Sequence, residues 1–239
     1  MNTDFSTAKE HFIEKGYCQF SLKDFDIDFY DFLNEYLSCD ENNNLKNVFN
    51  EFRFDSDKIE IRYKSPTNSW EDAKSKELEL FDKYYDNSDI SQCWYFTNDF
   101  NHIYNFLQSK HPNLAKEDLR LKTEKIINKI ISYFYDYNSD SQLYHNELQF
   151  TYYDLKGRFT PHSDGMTVNL CSIIIYLNKD YKKENGGLLL LNKEEIVPEL
   201  GIVALMDLSK HDINHGVTEV ISGPGRYAIL SFPKLKSTI

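Results

Sequence analysis

The stretch "FTPHSDGMTVNL" (159–170) places His162 and Asp164 two residues apart in a run whose flanks read as strand. In a strand, residues i and i+2 project to one side, so an imidazole and a carboxylate face the same point, as two ligands of one metal ion must. A third ligand has to come from another of the seven histidines, and His145, His211 and His215 are the candidates. His215 opens "HGVTEV", a β-like run after the apolar "GIVALMDL", and so arrives from a neighbouring strand opposite the H-x-D pair. His211 sits in "SKHDIN", where a solvated loop histidine is expected. Two histidines and a carboxylate fill one face of an octahedron and leave three positions open, the geometry of non-haem Fe(II) that binds both a cosubstrate and O2. Catalytic zinc also accepts such ligands, but in four-coordinate geometry with one open position.

Arg226 is a second anchor, 11 residues beyond His215 at the start of "RYAILSF", where a strand directs it into the cavity of the ligands. A guanidinium keeps its charge and clamps a carboxylate through paired N–H donors, which suits the far end of a dicarboxylate cosubstrate. The alternative, an arginine paired to surface acid, fits poorly with the apolar strand that follows.

The elements that must position these residues change character near residue 140. Before it, "FDIDFYDFLNEYL" (25–37) and, more strongly, "EDLRLKTEKIINKIISYFYDY" (117–137) space their apolar residues for amphipathic packing helices. Between them "DKIEIRYKS" alternates as a strand, "SQCWYFTNDF" is an aromatic cluster of undecided type, and "SCDENNNLKN" (38–47) reads as a loop. After it come short β-rich runs divided by turn signals: "ELQFTYYDL", "CSIIIYLN", "GGLLLLN", "GIVALMDL" and "GRYAILSF". Five strands in so short a span predict a sandwich or barrel. The runs "SIIIYL" and "LLLL" are apolar on both faces, which predicts a sheet with helices on one side and a cavity on the other.

Composition narrows the function classes. The net charge is -11, and residues 1–140 hold 27 acidic against 17 basic side chains, so no basic footprint for nucleic acid exists. No apolar run is long enough to span a bilayer, and the polar, acidic N-terminus does not read as a signal or transit peptide, so the expectation is a cytoplasmic protein without membrane association. Cys18, Cys39, Cys93 and Cys171 lie at least 20 residues apart with no CxxC pair, which predicts buried thiols.

Taken together these residues resemble the Fe(II)- and 2-oxoglutarate-dependent dioxygenases, in their prolyl-4-hydroxylase-like branch, over about the last 95 residues. "LQFTYYDLKGRFTPHSD" is similar to the branch pattern L-Q-V-x-x-Y-x-x-G-x-x-Y-x-P-H-x-D, with Leu148, Gln149, Tyr153, Gly157, Phe159, Pro161, His162 and Asp164 in register. "CSIIIYLNKDYKKENGGLLLL" and "HGVTEVISGPGRYAILSF" resemble the segments that follow, the latter with Glu219 in place of a proline and one residue more than the usual G-x-R. The resemblance implies an α+β fold, with a double-stranded β-helix (jelly-roll, cupin-like) core and packing helices from the N-terminal half. It implies one domain over 1–239, in which 1–140 is mainly helical support and specificity region and 141–239 is the catalytic core.

It further implies that His162, Asp164 and His215 ligate Fe(II), and that Arg226 and Tyr176 hold the distal carboxylate of 2-oxoglutarate. Leu189 and Leu230 would wall the cosubstrate, with Tyr153 near the iron. The cosubstrates are then 2-oxoglutarate and O2, and the reaction is hydroxylation of an aliphatic C–H bond with release of succinate and CO2. The carboxylate of Asp164 points to hydroxylation and away from the related halogenases, which replace it with a small residue. The substrate is expected to be a small molecule or a peptide: "FIEKGYCQF" resembles the opening strand of small-molecule hydroxylases and, with the acidic first half, favours an amino-acid-like molecule, while the branch itself suggests a prolyl or peptidyl one. A non-enzymatic cupin-like binding protein and a zinc hydrolase are the competing readings; the sequence is silent on oligomeric state.

Overall fold

The computed structural model describes residues 5–39, 50–55, 60–64, 92–136, 143–144, 148–163 and 169–235. Helix α1 (Phe5–Lys15) leads through Gly16 into strand β1 (Tyr17–Ser21), so "FIEKGYCQF" divides between the end of a helix and the strand expected of it. After the short α2 (Leu22–Phe25), the expected helix at 25–37 is present from Ile27 on, as α3 (Ile27–Phe32) running directly into a π-helical turn (Leu33–Leu37). Its start is set by Asp26, whose carboxylate accepts from Phe29 N at 3.0 Å and so separates it from α2.

"DKIEIRYKS" supplies β3 (Glu60–Lys64), paired with β2 (Asn50–Asp55), and the aromatic cluster is β4 (Gln92–Asp99), running into α4 (Phe100–Lys110). Most of the polar stretch 38–47 lies outside the described residues. Helix α5 (Lys116–Tyr135) buries the expected stripe: Leu119, Ile126, Ile127, Ile130, Ile131 and Phe134. Ile127 is fully buried, so Ile127→Ala is expected to destabilise the fold by about 2–5 kcal/mol through lost burial and a residual cavity, read as a lower denaturant midpoint at unchanged slope.

The C-terminal strands are β5 (Leu143–Tyr144), β6 (Leu148–Tyr153), β7 (Arg158–Ser163), β8 (Cys171–Tyr176), β9 (Leu189–Leu191), β10 (Glu194–Ile196), β11 (Ile202–Asp207), β12 (Asn214–Val217), β13 (Arg226–Ser231) and β14 (Lys234–Leu235). Two antiparallel sets of four emerge, in the orders β6-β13-β8-β11 and β7-β12-β9-β10, which is the strand order of a double-stranded β-helix. Strand β4 joins the sets, pairing with β6 through residues 96–99 and with β7 through 93–94, and β1 extends the first set beside β11.

Strand parity sorts side chains into two cores. Phe150, Tyr152, Ile173, Ile175, Tyr227 and Ile229 turn outward from the first set and pack with α1 and α5. Tyr153, Ile174, Tyr176 and Ala228 turn inward and meet Leu189, Leu191 and Val217 of the second set. The apolar run "SIIIYL" is thus buried on both faces for two different reasons: helices cover one side, and the opposing sheet covers the other. No helix among the described residues is long and apolar enough to cross a membrane.

Candidate metal and cosubstrate site

His162 on β7 and His215 on β12 are direct cross-strand partners. Their ring centroids are 4.4 Å apart, and both residues are buried. The faces agree with the interior: on β12, His215 shares its side with Val217, and both lie opposite the inward Leu191 and Leu189 of β9. Each imidazole is oriented from behind. His162 Nδ1 donates to Thr160 O at 2.8 Å and His215 Nδ1 donates to Ile213 O at 3.1 Å. A carbonyl only accepts, so in the neutral ring the proton belongs to Nδ1 and the lone pair to Nε2, the tautomer that a metal ligand needs.

Two features hold these strands in place. Ser163 Oγ donates to Asp212 Oδ1, tying the residue after His162 to the segment that leads into His215. Gly216 gives the strands room to meet: a Cβ there would stand 2.8 Å from Pro161 Cα and 2.9 Å from Phe159 O, both backbone atoms of β7. Gly216→Ala is therefore expected to push β12 from β7 and weaken divalent-metal binding by about tenfold or more, the scale at which misoriented ligands act, read by Mn(II) titration.

Asp164 and His145 lie outside the described residues, so two of the three expected ligands are seen together. His211 is elsewhere: its ring occupies the space beside Gly16, at the end of α1.

Arg226 begins β13 opposite Tyr153, inward like Ala228, and is 2% exposed. The extra residue of "GPGR" is taken up in the preceding turn, where Gly223 and Gly225 both hold positive φ, so Arg226 keeps its place on the strand. Glu219, where the branch has proline, turns outward and pairs with Arg158 at 3.0 Å. The guanidinium lies between two rings, its Cζ 4.7 Å from the centroid of Tyr153 and 4.9 Å from that of Tyr176. Tyr153, expected near the iron, also sets its ring against Arg226. Arg226 Nη2 donates to Tyr176 Oη at 3.1 Å, while Nε is buried without a hydrogen-bond partner, and no carboxylate pairs with Arg226 among the described residues. Burial pushes the Tyr176 hydroxyl above its ordinary pKa and Arg226 pulls it back, so the group remains a neutral O–H donor at neutral pH.

A buried cation lacking a counterion is costly, and an unsatisfied buried N–H adds to that cost. A carboxylate arriving from solution offsets both. The chemistry of these side chains therefore fits a ligand with one carboxylate at the Arg226 end and metal-chelating atoms at the histidine end. Leu189 is buried in the interior cluster with Tyr153, Tyr176 and Ala228, and Leu230 is partly buried against it.

Asn178 escaped the sequence reading. It is fully buried, accepts from Tyr227 N at 2.8 Å and donates to Gly225 O at 2.6 Å, bracketing Arg226 on both sides. The signal was there: a polar amide closing the apolar run "SIIIYLN" must satisfy its groups internally.

Residues 148–233 match the family model of the 2OG-Fe(II) oxygenase superfamily. No curated protein sequence matches. Among solved structures, the chain is similar to a prolyl-4-hydroxylase of Pseudomonas putida at 13% identity, covering 96% of this chain and 97% of that one with a TM-score of 0.46. It is similar to a Trichoplax adhaerens prolyl hydroxylase, solved with a hypoxia-inducible-factor oxygen degradation domain peptide fragment, at 12% identity, covering 96% and 88% with a TM-score of 0.49. A third, an oxidoreductase of the 2OG-Fe(II) oxygenase family from Burkholderia pseudomallei, is 12% identical over 98% and 91% of the chains with a TM-score of 0.47.

Proposed function

We propose that this chain is a 2OG-Fe(II) oxygenase, the superfamily whose model residues 148–233 match, and that it hydroxylates an aliphatic C–H bond, with His162, Asp164 and His215 holding Fe(II) and Arg226 and Tyr176 holding the distal carboxylate of 2-oxoglutarate. The observation that carries this reading is Arg226: a buried guanidinium whose Nε has no partner among the described residues, on the inward face of the first strand set, with His162 and His215 facing one another in the second.

When bound, Fe(II) with 2-oxoglutarate and O2 supplies the oxidation of the C–H bond and yields succinate and CO2. The chain's own residues position and exclude. The Thr160 and Ile213 carbonyls accept from the two Nδ1–H groups, so that Nε2 of each ring would be the atom to hold the ion. Arg226 and Tyr176 set the cosubstrate's direction from its far end, and Leu189, Ile174 and Leu230 keep water from the walls.

The substrate is proposed to be an amino-acid-like small molecule or a prolyl or peptidyl group. Free amino acids and proline-containing peptides, incubated with Fe(II), 2-oxoglutarate and the protein, are expected to give succinate together with a mass gain of one oxygen in the true substrate. Failure to bind 2-oxoglutarate with Mn(II) present would falsify the reading. A zinc hydrolase on this scaffold would make no use of Arg226, and metal analysis with succinate assay separates the two.

A further inference from the structure

Beyond the residues assigned above, one more buried hydroxyl faces the same charge. Tyr181 follows β8 and is 3% exposed, and its Oη is buried without a hydrogen-bond partner among the described residues. Its place is fixed by Gly187, which holds φ +62, a backbone conformation that suits glycine. A Cβ at Gly187 would stand 2.8 Å from Tyr181 Oη and 3.4 Å from Arg226 Cβ, so the hydroxyl lies alongside the Arg226 stem. Burial pushes Tyr181 up to about 12 while the Arg226 charge opposes the rise, so at neutral pH the group is a protonated donor within electrostatic reach of the guanidinium.

Two buried donors on this side of the interior are thus without acceptors among the described residues: Arg226 Nε–H and the Tyr181 O–H, whose oxygen lies near the Arg226 stem. Nε and Nη2 share one edge of the planar guanidinium, and Nη2 already points at Tyr176 Oη. A carboxylate on that edge has lone pairs enough for all of these groups, since its two oxygens accept about four hydrogen bonds. We propose that Tyr181 is a further cosubstrate-binding residue, its buried hydroxyl donating to the same distal carboxylate that Arg226 and Tyr176 hold. The inference rests on the reading of Arg226 as the carboxylate clamp.

The test is a comparison of two ligands on the full chain loaded with Mn(II). 2-Oxoglutarate carries the distal carboxylate; 2-oxopentanoate has the same keto-acid head and chain length without it. Tyr181→Phe keeps the ring and removes the hydroxyl, and it is expected to weaken 2-oxoglutarate about tenfold, the scale of one hydrogen bond to a charged group, while 2-oxopentanoate binds as before. Equal losses for both ligands would mean that Tyr181 only supports the fold, and an unchanged affinity for 2-oxoglutarate would mean that its hydroxyl does not reach the carboxylate; either overturns the proposal. A wild-type chain that fails to bind 2-oxoglutarate at all overturns the clamp itself, and Tyr181's role with it.

Discussion

His215→Ala is expected to remove divalent-metal binding and, with it, succinate formation, and His162→Ala is expected to do the same. The two rings are cross-strand partners 4.4 Å apart, each locked by a carbonyl behind it, so neither has freedom to compensate for the other. Loss of a metal's supporting partner alone costs about 10–100-fold in affinity, and loss of a ligand is expected to exceed that range. Residues that act as one unit are not additive, so the double variant should be no worse than either single one. The measurement is Mn(II)-dependent stabilisation: a metal at about 100 times its dissociation constant raises stability by about 2.7 kcal/mol, and that increment should vanish in both variants. His211→Ala is the control. Its ring sits beside Gly16, and its removal should leave the metal-dependent increment intact.

That contrast between His215 and His211 was legible in the sequence because strand parity and position decide it: one histidine opens a β run after an apolar strand, the other sits in a polar loop. The same parity placed Arg226, Ala228 and Leu230 on one face and Ser172, Ile174 and Tyr176 on another, and the register of β13 against β8 and β6 brings both faces to one interior. Long periodic segments were equally legible, as the buried stripe of α5 demonstrates. What was not legible turned on single polar side chains. Asp26 sets where the helix of 27–37 begins, because its carboxylate caps Phe29 N and parts that helix from the short α2 before it. The aromatic cluster at 92–99 gave no period, since β4 pairs with strands of both sheets and so serves two surroundings along its length. Tyr181 reads as an ordinary member of "YLNKDY", and the sequence shows only that the Asn178 amide needs partners; which groups they meet, Gly225 and Tyr227 for Asn178 and the surroundings of Gly187 for Tyr181, follows from the fold. The jelly-roll order likewise follows from which strands pair, and strand spacing alone leaves sandwich and barrel undecided.

Arg226→Ala is expected to act on the cosubstrate and spare the metal. The guanidinium is 2% exposed, held between the rings of Tyr153 and Tyr176, and bracketed at the backbone by Asn178, so it is a preorganised donor and pays little ordering cost when a carboxylate arrives. Removing one partner of a buried charge pair costs about 3–5 kcal/mol, which corresponds to a loss in 2-oxoglutarate affinity of about 100-fold or more. Mn(II) affinity in the absence of cosubstrate should stay near that of the wild type, because no metal-facing group changes. Arg226→Lys sharpens the result. An ammonium restores the charge but not the planar fork, and it cannot span the Nε and Nη2 positions at once, so partial recovery is expected. In the free protein the alanine variant should lose little stability or even gain some, since a buried cation with an orphaned Nε is itself a cost to the fold. A variant that binds 2-oxoglutarate as tightly as the wild type, with its metal affinity unchanged, would show that the carboxylate is held elsewhere and that this interior charge serves another ligand.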